Sequence, residues 1–280
     1  MTKNIHTFIG CEAEYKDSRI AIFGAPFDGT TSYRPGTRFA PAAMRSESYG
    51  IETYSPYLDK DLEDIRVFDC GDLELPFGNT ERVLEMIEEQ EDRLFSDGKF
   101  PIMIGGEHLV TLGAVRSAYK KHPDLNIIHF DAHADMRDEY LGERLSHSTV
   151  MRRCHDILGD GKIFQFGIRS GDREEFYFAK DHVFTQKFNF NGLSEIASKL
   201  QGRPVYFTID LDVLDSSVFS GTGTPEAGGV SFLELLSAIS EVTKLNIVAI
   251  DINELSPVYD QSGGSTALAC KLLREILLSI

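Results

Sequence analysis

At its centre the chain reads Asn126-Ile127-Ile128-His129-Phe130-Asp131-Ala132-His133-Ala134-Asp135. The apolar residues of this stretch predict a short buried strand. Asp131, His133 and Asp135 follow at a spacing of two, and on an extended backbone residues i, i+2 and i+4 point to one face. In an open α/β sheet, ligands bind at the carboxyl ends of the strands. Two carboxylates and an imidazole there predict a metal site, and the alternative is a solvated turn.

The composition indicates an acidic globular protein. Of its 280 residues, 42% are hydrophobic, and 28 basic residues stand against 44 acidic ones, for a formal net charge of −16. An acidic surface argues against a nucleic-acid partner, because it would repel the phosphates, and it attracts small cations. No linker or composition shift divides the sequence, so we expect one domain over residues 1–280.

The cysteines and the apolar runs indicate the cellular compartment of the protein. The four cysteines, at positions 11, 70, 154 and 270, are scattered and contain no Cys-x-x-Cys pair, which is typical of a reducing compartment. The first ten residues lack the basic-then-apolar pattern of a signal peptide, and no apolar run reaches the length of a membrane span. We therefore expect a cytoplasmic protein that makes no membrane contact.

Strand-like apolar runs alternate with helical patterns along the chain. Strands are predicted at 20–23, 65–68, 101–104, 127–130, 163–167, 183–185, 204–212 and 245–250. Helices are predicted from 41, from 80 (with Thr80 as the N-cap), from 108, from 150, over 192–200, after Ser231 and over 266–278. This alternation predicts an α/β fold with a mostly parallel sheet of about eight strands and helices on both faces.

Polar residues also follow other predicted strands. The strand at 101–104 breaks into Gly105-Gly106-Glu107-His108, where the two glycines permit a tight turn. Asp210 and Asp212 end a later strand on one face, and the last strand leads to Glu254. A histidine such as His108 is often structural when it stands alone. Its turn precedes the central strand directly, which favours a ligand.

The number and type of these groups indicate a binuclear site. Six residues from three strand ends exceed the needs of one tetrahedral ion, and carboxylates can bridge two divalent ions about 3.5–4 Å apart. A donor set rich in oxygen with two imidazoles favours manganese over zinc. The expected ligands are His108, Asp131, His133, Asp135, Asp210 and Asp212.

His147 lies twelve residues after Asp135, in the polar segment 136–149 that we expect to form a loop over the site. It could be an ordinary helix-start residue. Above a metal centre it suits proton transfer, because the pKa of histidine lies near working pH. The glycine-rich segment 221–229 lacks the Gly-Lys-Ser/Thr ending of a phosphate-binding loop, so we do not interpret it as a nucleotide site.

Taken together, the motifs resemble those of the ureohydrolases, which include arginase and agmatinase. The resemblance extends from Gly24 to Glu254. Its motifs are Gly105-Gly106-Glu107-His108, Asp131-Ala132-His133-Ala134-Asp135, Thr208-Ile209-Asp210-Leu211-Asp212, Gly221-Thr222-Gly223-Thr224-Pro225 and Glu254. The resemblance implies a three-layer fold of the arginase/deacetylase type, two Mn²⁺ ions per chain and a homo-oligomer, either a trimer or a hexamer.

The resemblance also implies a role for each site residue. One ion would be bound by His108, Asp131, Asp135 and Asp210, and the other by Asp131, His133, Asp210 and Asp212. Asp135 would orient the attacking water and assist proton transfer to the leaving amine. His147 would carry protons between the site and solvent and would contact the substrate. Glu254 would pair with the substrate guanidinium, which a carboxylate matches well.

Two segments, 136–149 and 167–174, resemble those of bacterial and archaeal agmatinases. Arginases carry Asn, Thr and Ser after the Asp-x-His-x-Asp motif to hold a carboxylate, whereas this chain has Met136-Arg137-Asp138-Glu139-Tyr140. We therefore expect agmatine as the cationic substrate, hydrolysed to putrescine and urea, with Asp138 among the residues that bind it. Arg137 would instead favour guanidinobutyrate or guanidinopropionate, unless it forms a salt bridge with Asp138 or Glu139.

Three alternatives remain open. The substrate could be arginine, a guanidino acid or formiminoglutamate. The chain could be a catalytically silent metal-binding homologue, although His147 and Glu254 beside all six ligands argue against this. It could also be a deacetylase-like enzyme with a single zinc ion. Ser216 and Ser220 stand where ureohydrolases usually carry proline, which concerns the stiffness of a loop and not the ligands.

Overall fold

The computed structural model describes residues 6–280 and is organised around a β-sheet. The strands are β1 (Ile20–Gly24), β2 (Tyr54–Ser55), β3 (Lys60–Asp61), β4 (Val67–Asp72), β5 (Phe100–Ile104), β6 (Asn126–Phe130), β7 (Ile163–Ile168), β8 (Phe184–Lys187), β9 (Val205–Asp210) and β10 (Ile247–Asn253). The helices are α1 (Ala40–Ser48), α2 (Thr80–Ser96), α3 (Val110–Lys121), α4 (Val150–Leu158), α5 (Arg173–His182), α6 (Leu193–Lys199), α7 (Phe232–Val242) and α8 (Gly264–Ser279).

Within residues 6–280, eight strands form one sheet in the order β4-β1-β5-β10-β9-β6-β7-β8, and all neighbouring pairs are parallel. The short strands β2 and β3 form a separate antiparallel pair. Parallel strands need crossover connections, and these place helices over the faces of the sheet. The predicted α/β class and parallel sheet are confirmed.

Two apolar clusters cover opposite faces of the sheet. One includes side chains of α1, α6, α7 and α8. The other includes side chains of α2, α3 and α4. Every residue of β6 and β9 is buried, as expected for strands covered on both sides. The layers therefore run helix, sheet, helix, in agreement with the expected three-layer fold.

Several predicted boundaries were wrong, for local reasons. The N-cap of α2 is Asn79 and not Thr80, because the Oδ1 of Asn79 accepts a hydrogen bond from the backbone of Arg82 at 3.1 Å. The helix predicted from His108 begins at Val110. The last strand continues to Asn253, beyond residue 250. The prediction at Ser231 is confirmed, since this residue forms a capping box at the start of α7.

The helix α5 and the β2–β3 pair were not predicted. α5 buries few of its residues and has no strong apolar stripe, and β2 and β3 contain two residues each. Within residues 6–280, none of the helices combines the length and the apolar character needed to cross a bilayer.

Candidate metal centre

The centre lies at the carboxyl ends of four neighbouring strands, β5, β10, β9 and β6. His108 follows β5, Glu254 follows β10, Asp210 ends β9, and the Asp131–Asp135 segment follows β6. The register aligns these ends, since Asn253 pairs with Asp210. The parallel topology thus brings together residues that are far apart in sequence.

The imidazole of His108 is surrounded by carboxylates. Its Nδ1 lies 3.0 Å from Asp131 Oδ2, 3.2 Å from Asp135 Oδ2 and 3.4 Å from Asp210 Oδ2. None of these contacts has the geometry of a hydrogen bond, although the nitrogen is buried. The other ring nitrogen, Nε2, lies 2.9 Å from Thr208 Oγ1. Because Nε2 has this partner, the lone pair of Nδ1 can face the carboxylates.

His133 forms the second half of the centre. Its Nδ1 lies 3.0 Å from Asp212 Oδ2 and 3.5 Å from Asp131 Oδ1. Asp131 therefore faces both halves, with Oδ2 towards His108 and Oδ1 towards His133. Asp210, which was also expected to bridge, directs Oδ2 towards His108 and accepts a hydrogen bond from the backbone of Asp212 at Oδ1, 2.8 Å away.

The electrostatics of the centre fit a cation. Burial and the carboxylates of Asp212 and Asp131 raise the pKa of Asp210 well above its ordinary value. Burial likewise raises the pKa of Glu254, and burial with the charge of Asp131 raises the pKa of Asp135 to about 7. Buried carboxylates are costly unless they are paired. Carboxylate oxygens and imidazole nitrogens converging without hydrogen-bond geometry are a donor set that fits a divalent metal.

Two residues of the centre have strained backbones. Asp135 has φ 54° and Glu254 has φ 64°, in the left-handed region that non-glycine residues seldom adopt. Such conformations persist only where the surrounding structure imposes them, and they occur preferentially at functional sites. The strain therefore supports a functional role for both residues.

Comparison with known proteins identifies the family, because the family model described as "Arginase family" matches residues 18–279. The chain belongs to the arginase family. The agmatinase of Bacillus subtilis (strain 168) is 48% identical over 275 residues, which is 97% of this chain and 95% of that relative. The guanidinobutyrase of Pseudomonas aeruginosa is 33% identical over 274 residues, 92% of this chain and 85% of that relative. The crystal structure of the agmatine ureohydrolase of Thermoplasma volcanium has a TM-score of 0.90 and 35% sequence identity, covering 99% of this chain and 94% of that one.

Arginase-family membership confirms the resemblance inferred from the motifs. Among the described residues, two groups bring together atoms that could hold a metal ion at this centre: His108, His129, Asp131 and Asp135, and Asp131, His133 and Asp212. The centre is therefore a candidate metal site of an arginase-family protein. All six ligands expected from the sequence lie in it.

In this arginase-family chain, His147 is the first residue of a short 3-10 helix, His147–Thr149, and not part of a loop. It lies beside the centre, as the sequence predicts, in one cavity lining with His133 and Asp135. Its Nε2 lies 2.8 Å from Ser32 Oγ, and its backbone N–H donates to Thr30 Oγ1 at 3.0 Å. Burial, with the nearby imidazoles of His133 and His108, lowers the pKa of His147 to about 4. The ring is therefore neutral near pH 7.

A cavity of about 270 Å³ opens above the centre. It is lined by Ser32, His133, Ala134, Asp135, Arg137, Tyr140, His147, Ser148, Ser170, Gly171, Asp172, Glu175 and Thr224. It contains Asp135 and His147, two of the three catalytic candidates, as well as the charged residues Arg137, Asp172 and Glu175. The third candidate, Glu254, is not among the lining residues. The cavity is therefore the candidate substrate site.

Arg137 does not form the salt bridge expected with Asp138 or Glu139. Its Nη1 lies 3.2 Å from Asp172 Oδ2, its Nε lies 3.3 Å from Glu175 Oε1, and its guanidinium lies over the ring of Tyr140. Both carboxylates lie at the start of the unpredicted helix α5, where Asp172 is the N-cap and Glu175 is in the first turn. Within the cavity wall, one positive charge thus faces two negative charges.

Asp138, which was expected to bind substrate, is not brought to the cavity. Its side chain is 65% exposed, and its Oδ1 accepts a hydrogen bond from Arg153 Nη2 at 2.7 Å. The cation of α4 thus holds this carboxylate away from the residues that line the site. The acidic residues beside Arg137 in the cavity lining are Asp172 and Glu175.

The sequence interpretation did not single out Thr30, Ser32 or His129. Thr30 and Ser32 contact His147 only through the folding of distant segments, which spacing alone does not reveal. His129 offers a visible signal, because it is an imidazole in an otherwise apolar strand and stands two residues before Asp131. Its Nε2 lies 2.8 Å from Asp131 Oδ2.

Proposed function

We propose that this protein hydrolyses agmatine to putrescine and urea, using two Mn²⁺ ions per chain. As an arginase-family protein with close agmatinase relatives, it is a hydrolase of amidino carbon–nitrogen bonds. The observation that favours agmatine over a guanidino acid is the charge of the cavity above the centre. There the guanidinium of Arg137 is paired with two carboxylates, those of Asp172 and Glu175.

Two groups of donors that share Asp131 support two ions. The carboxylate oxygens of these groups, together with the imidazoles of His108 and His133, favour Mn²⁺. When bound, such ions polarise the substrate and lower the pKa of a water molecule. His108, Asp131, Asp135 and Asp210 would hold one ion, and Asp131, His133, Asp210 and Asp212 the other.

Asp135 is the proposed carrier of the proton within the site. Its carboxylate lies 3.2 Å from His108 Nδ1 and also lines the cavity, so it can accept a hydrogen bond from a water molecule between the centre and the substrate. It would take a proton from the attacking water and pass it to the leaving nitrogen. The carbon–nitrogen bond then breaks, the guanidino carbon leaves as urea, and the nitrogen leaves as the amine.

His147 is the proposed link to solvent. Its ring lines the cavity beside Asp135, and its Nε2 lies 2.8 Å from the hydroxyl of Ser32, so hydrogen bonds can lead from the site towards solvent. Glu254 would pair with the guanidinium. Its Oε1 accepts a hydrogen bond from the backbone of His108 at 2.8 Å, which holds the buried carboxylate beside the centre.

The cavity wall favours a cationic tail on the substrate. The carboxylates of Asp172 and Glu175 and the guanidinium of Arg137 sum to one negative charge. The ammonium group of agmatine would be attracted by this excess, while a carboxylate tail would be repelled. Arg137 lies 3.2 Å from Asp172 and 3.3 Å from Glu175, so the arginine is already paired before a substrate binds.

Guanidinobutyrate is the second candidate, and one observation favours it. Arg137 lines the cavity and could pair with a carboxylate if it left Asp172 and Glu175. A guanidinobutyrase is also among the relatives. The cost of breaking two ion pairs makes this the weaker proposal.

Urea release tests the proposal. The purified protein is loaded with Mn²⁺ and given agmatine, arginine or 4-guanidinobutyrate at equal concentration. We expect a clear preference for agmatine. A preference for 4-guanidinobutyrate would make Arg137 a carboxylate clamp, and no urea from any of them, with two ions bound, would overturn the proposed activity.

Three proposals concern the protein as a whole. We propose that residues 1–280 act as one domain, that the chain forms a trimer or hexamer, and that it works in the cytoplasm. A single cooperative unfolding transition would support the first. Light scattering of the Mn²⁺-loaded protein would measure the mass and decide the second, and fractionation of cells would decide the third.

A further inference from the structure

A row of polar side chains crosses the sheet directly beneath the metal centre. It consists of Asp251 in β10, Thr208 in β9, His129 in β6, Gln165 in β7 and Thr185 in β8. Each is the register partner of the next, since Asp251 pairs with Thr208, Thr208 with His129, His129 with Gln165, and Gln165 with Thr185. We call these five residues the polar row.

The polar row and the ligands lie on the same face. His129 stands two residues before Asp131, and Thr208 stands two residues before Asp210, so each pair points to one side of the sheet. This side is packed under α2, α3 and α4, because the preceding residues Ile127 and Tyr206 belong to that apolar cluster. A polar row inside an apolar layer is costly unless its groups are hydrogen-bonded.

The amide of Gln165 determines the position of one proton on His129. The carbonyl oxygen of Ala134 can only accept, and the side-chain nitrogen of Gln165 lies 2.7 Å from it. That nitrogen also lies 3.1 Å from His129 Nδ1, and the hydroxyl of Thr185 donates to Gln165 Oε1 at 3.1 Å. His129 Nδ1 is therefore the acceptor, and the proton of the neutral ring is on Nε2.

This proton is hydrogen-bonded to the carboxylate of Asp131, which faces both halves of the centre. His129 Nε2 donates to Asp131 Oδ2 at 2.8 Å. The backbone N–H of His133 donates to the other oxygen, Oδ1, at 2.5 Å. With one donor on each oxygen, the carboxylate of Asp131 cannot rotate without losing a hydrogen bond, and each oxygen keeps a lone pair for its own half.

We infer that His129 and Gln165 are positioning residues that hold Asp131 so that each of its oxygens serves one metal ion. The inference rests on the proposed two-ion centre. Residues that orient a ligand from behind commonly change metal affinity by about 10- to 100-fold when they are replaced. Loss of the His129 donor should therefore weaken loading of the complete centre, even though all six ligands remain.

The test measures Mn²⁺ binding to metal-free protein by calorimetry. His129→Leu removes the donor, while His129→Gln places an amide N–H near the former Nε2 position. We expect two Mn²⁺ equivalents for the wild type and for His129→Gln. For His129→Leu we expect at least one equivalent weakened by about 10- to 100-fold. His122→Leu is the matched control, because His122 is a half-buried histidine at the end of α3 that packs on Phe95 and should bind Mn²⁺ like the wild type.

A purely structural role gives a different pattern. His129→Leu would then lower the unfolding temperature in EDTA and still bind two ions with wild-type affinity, which would overturn the inference alone. If His129→Leu does not fold, Gln165→Glu decides, because a carboxylate cannot donate to His129 Nδ1; wild-type binding by that variant would overturn the inference. Fewer than two ions in the wild type would instead overturn the two-ion centre itself, and the inference with it.

Discussion

The backbone N–H of His147 donates a 3.0 Å hydrogen bond to the hydroxyl of Thr30, 117 residues earlier in the chain. Thr30 is itself held by the buried carboxylate of Glu107, which accepts from both its backbone N–H and its hydroxyl. The hydroxyl of Thr31 also donates to Glu107. The turn before α3 thus fixes the loop after β1, and that loop fixes His147.

Thr30→Val should therefore lower kcat while leaving Mn²⁺ binding unchanged. The variant keeps the shape of the side chain but loses the acceptor for the His147 backbone, and small displacements of a catalytic group can cost about 10- to 100-fold in rate. Urea release and calorimetry measure the two quantities. Thr30→Ser keeps the hydroxyl and serves as the control; equal rates for all three proteins would remove Thr30 from the support of His147.

Glu254→Gln should retain both ions and lose kcat/KM for agmatine. The amide oxygen can still accept from the His108 backbone, but the charge that would pair with the guanidinium is gone. Hydrogen bonds to charged groups contribute about 1.5–3 kcal/mol, equivalent to a loss of about 10- to 100-fold. Steady-state kinetics and metal analysis decide the matter. Loss of metal with this substitution would mean that Glu254 belongs to the ligand set.

Asp210→Asn should abolish metal loading and activity together. The substitution removes a negative charge from the oxygens beside His108 and leaves an amide nitrogen that cannot bind a cation. Metal analysis after dialysis and urea release measure the outcome. A variant that retained two ions at wild-type affinity would place Asp210 outside the centre.

Asp172→Asn should shift selectivity towards 4-guanidinobutyrate. Asparagine can still cap α5, where Asp172 Oδ1 accepts from the backbone of Glu175, but it no longer neutralises Arg137. We expect the ratio of kcat/KM values, agmatine over 4-guanidinobutyrate, to fall about fivefold, equivalent to about 1 kcal/mol. Asp138→Asn removes an acidic charge outside the cavity lining and is the control. If Asp138→Asn shifts the ratio and Asp172→Asn does not, Asp138 is the residue that senses the substrate.

Glu91→Gln should stabilise the metal-free protein more at pH 8 than at pH 5. Burial raises the pKa of Glu91 well above its ordinary value, and Glu91 Oε2 is buried without a hydrogen-bond partner. The folded state therefore keeps a proton that the unfolded chain loses above about pH 4.3. The free energy of unfolding falls as pH rises through the range between the unfolded and folded pKa values.

Urea denaturation in EDTA at both pH values measures this effect. Glu89→Gln, on the exposed side of the same helix, is the control, because Glu89 pairs with Arg82 at the surface. An equal change at pH 5 and pH 8 for Glu91→Gln would show that the proton on Glu91 does not contribute.

The parts of the fold that follow from sequence are those with a local physical signal. A buried parallel strand is a continuous apolar run, and a polar residue at its end is visible in the sequence. The parallel sheet could therefore be predicted, and so could the six residues that the structure brings together at the candidate centre. Helix α5 has no clear apolar stripe, so it was missed. Because α5 was not predicted, the salt-bridge partners predicted for Arg137 were wrong.

The contacts that could not be predicted join residues that are far apart in the sequence. Nothing near Asp138 in the sequence indicates that Arg153, one helix later, would bind it. Nothing near His147 indicates Thr30. His129 was within reach, since a neutral imidazole in an apolar strand requires hydrogen-bond partners on both nitrogens, and its position two residues before Asp131 identifies one of them.

The crowding of buried carboxylates around His108 has a consequence for the lifetime of the protein. In metal-free chains, Asp210 and Glu254 resist ionisation inside the fold, so the unfolded state gains relative to the folded one at neutral pH. Ions that bind only the folded chain reverse this, by about 1.4 kcal/mol for each tenfold excess of metal over its dissociation constant. With the proposed Mn²⁺ pair, shortage of metal would therefore remove the protein itself through degradation, and polyamine output would follow the metal supply on the slower timescale of protein turnover.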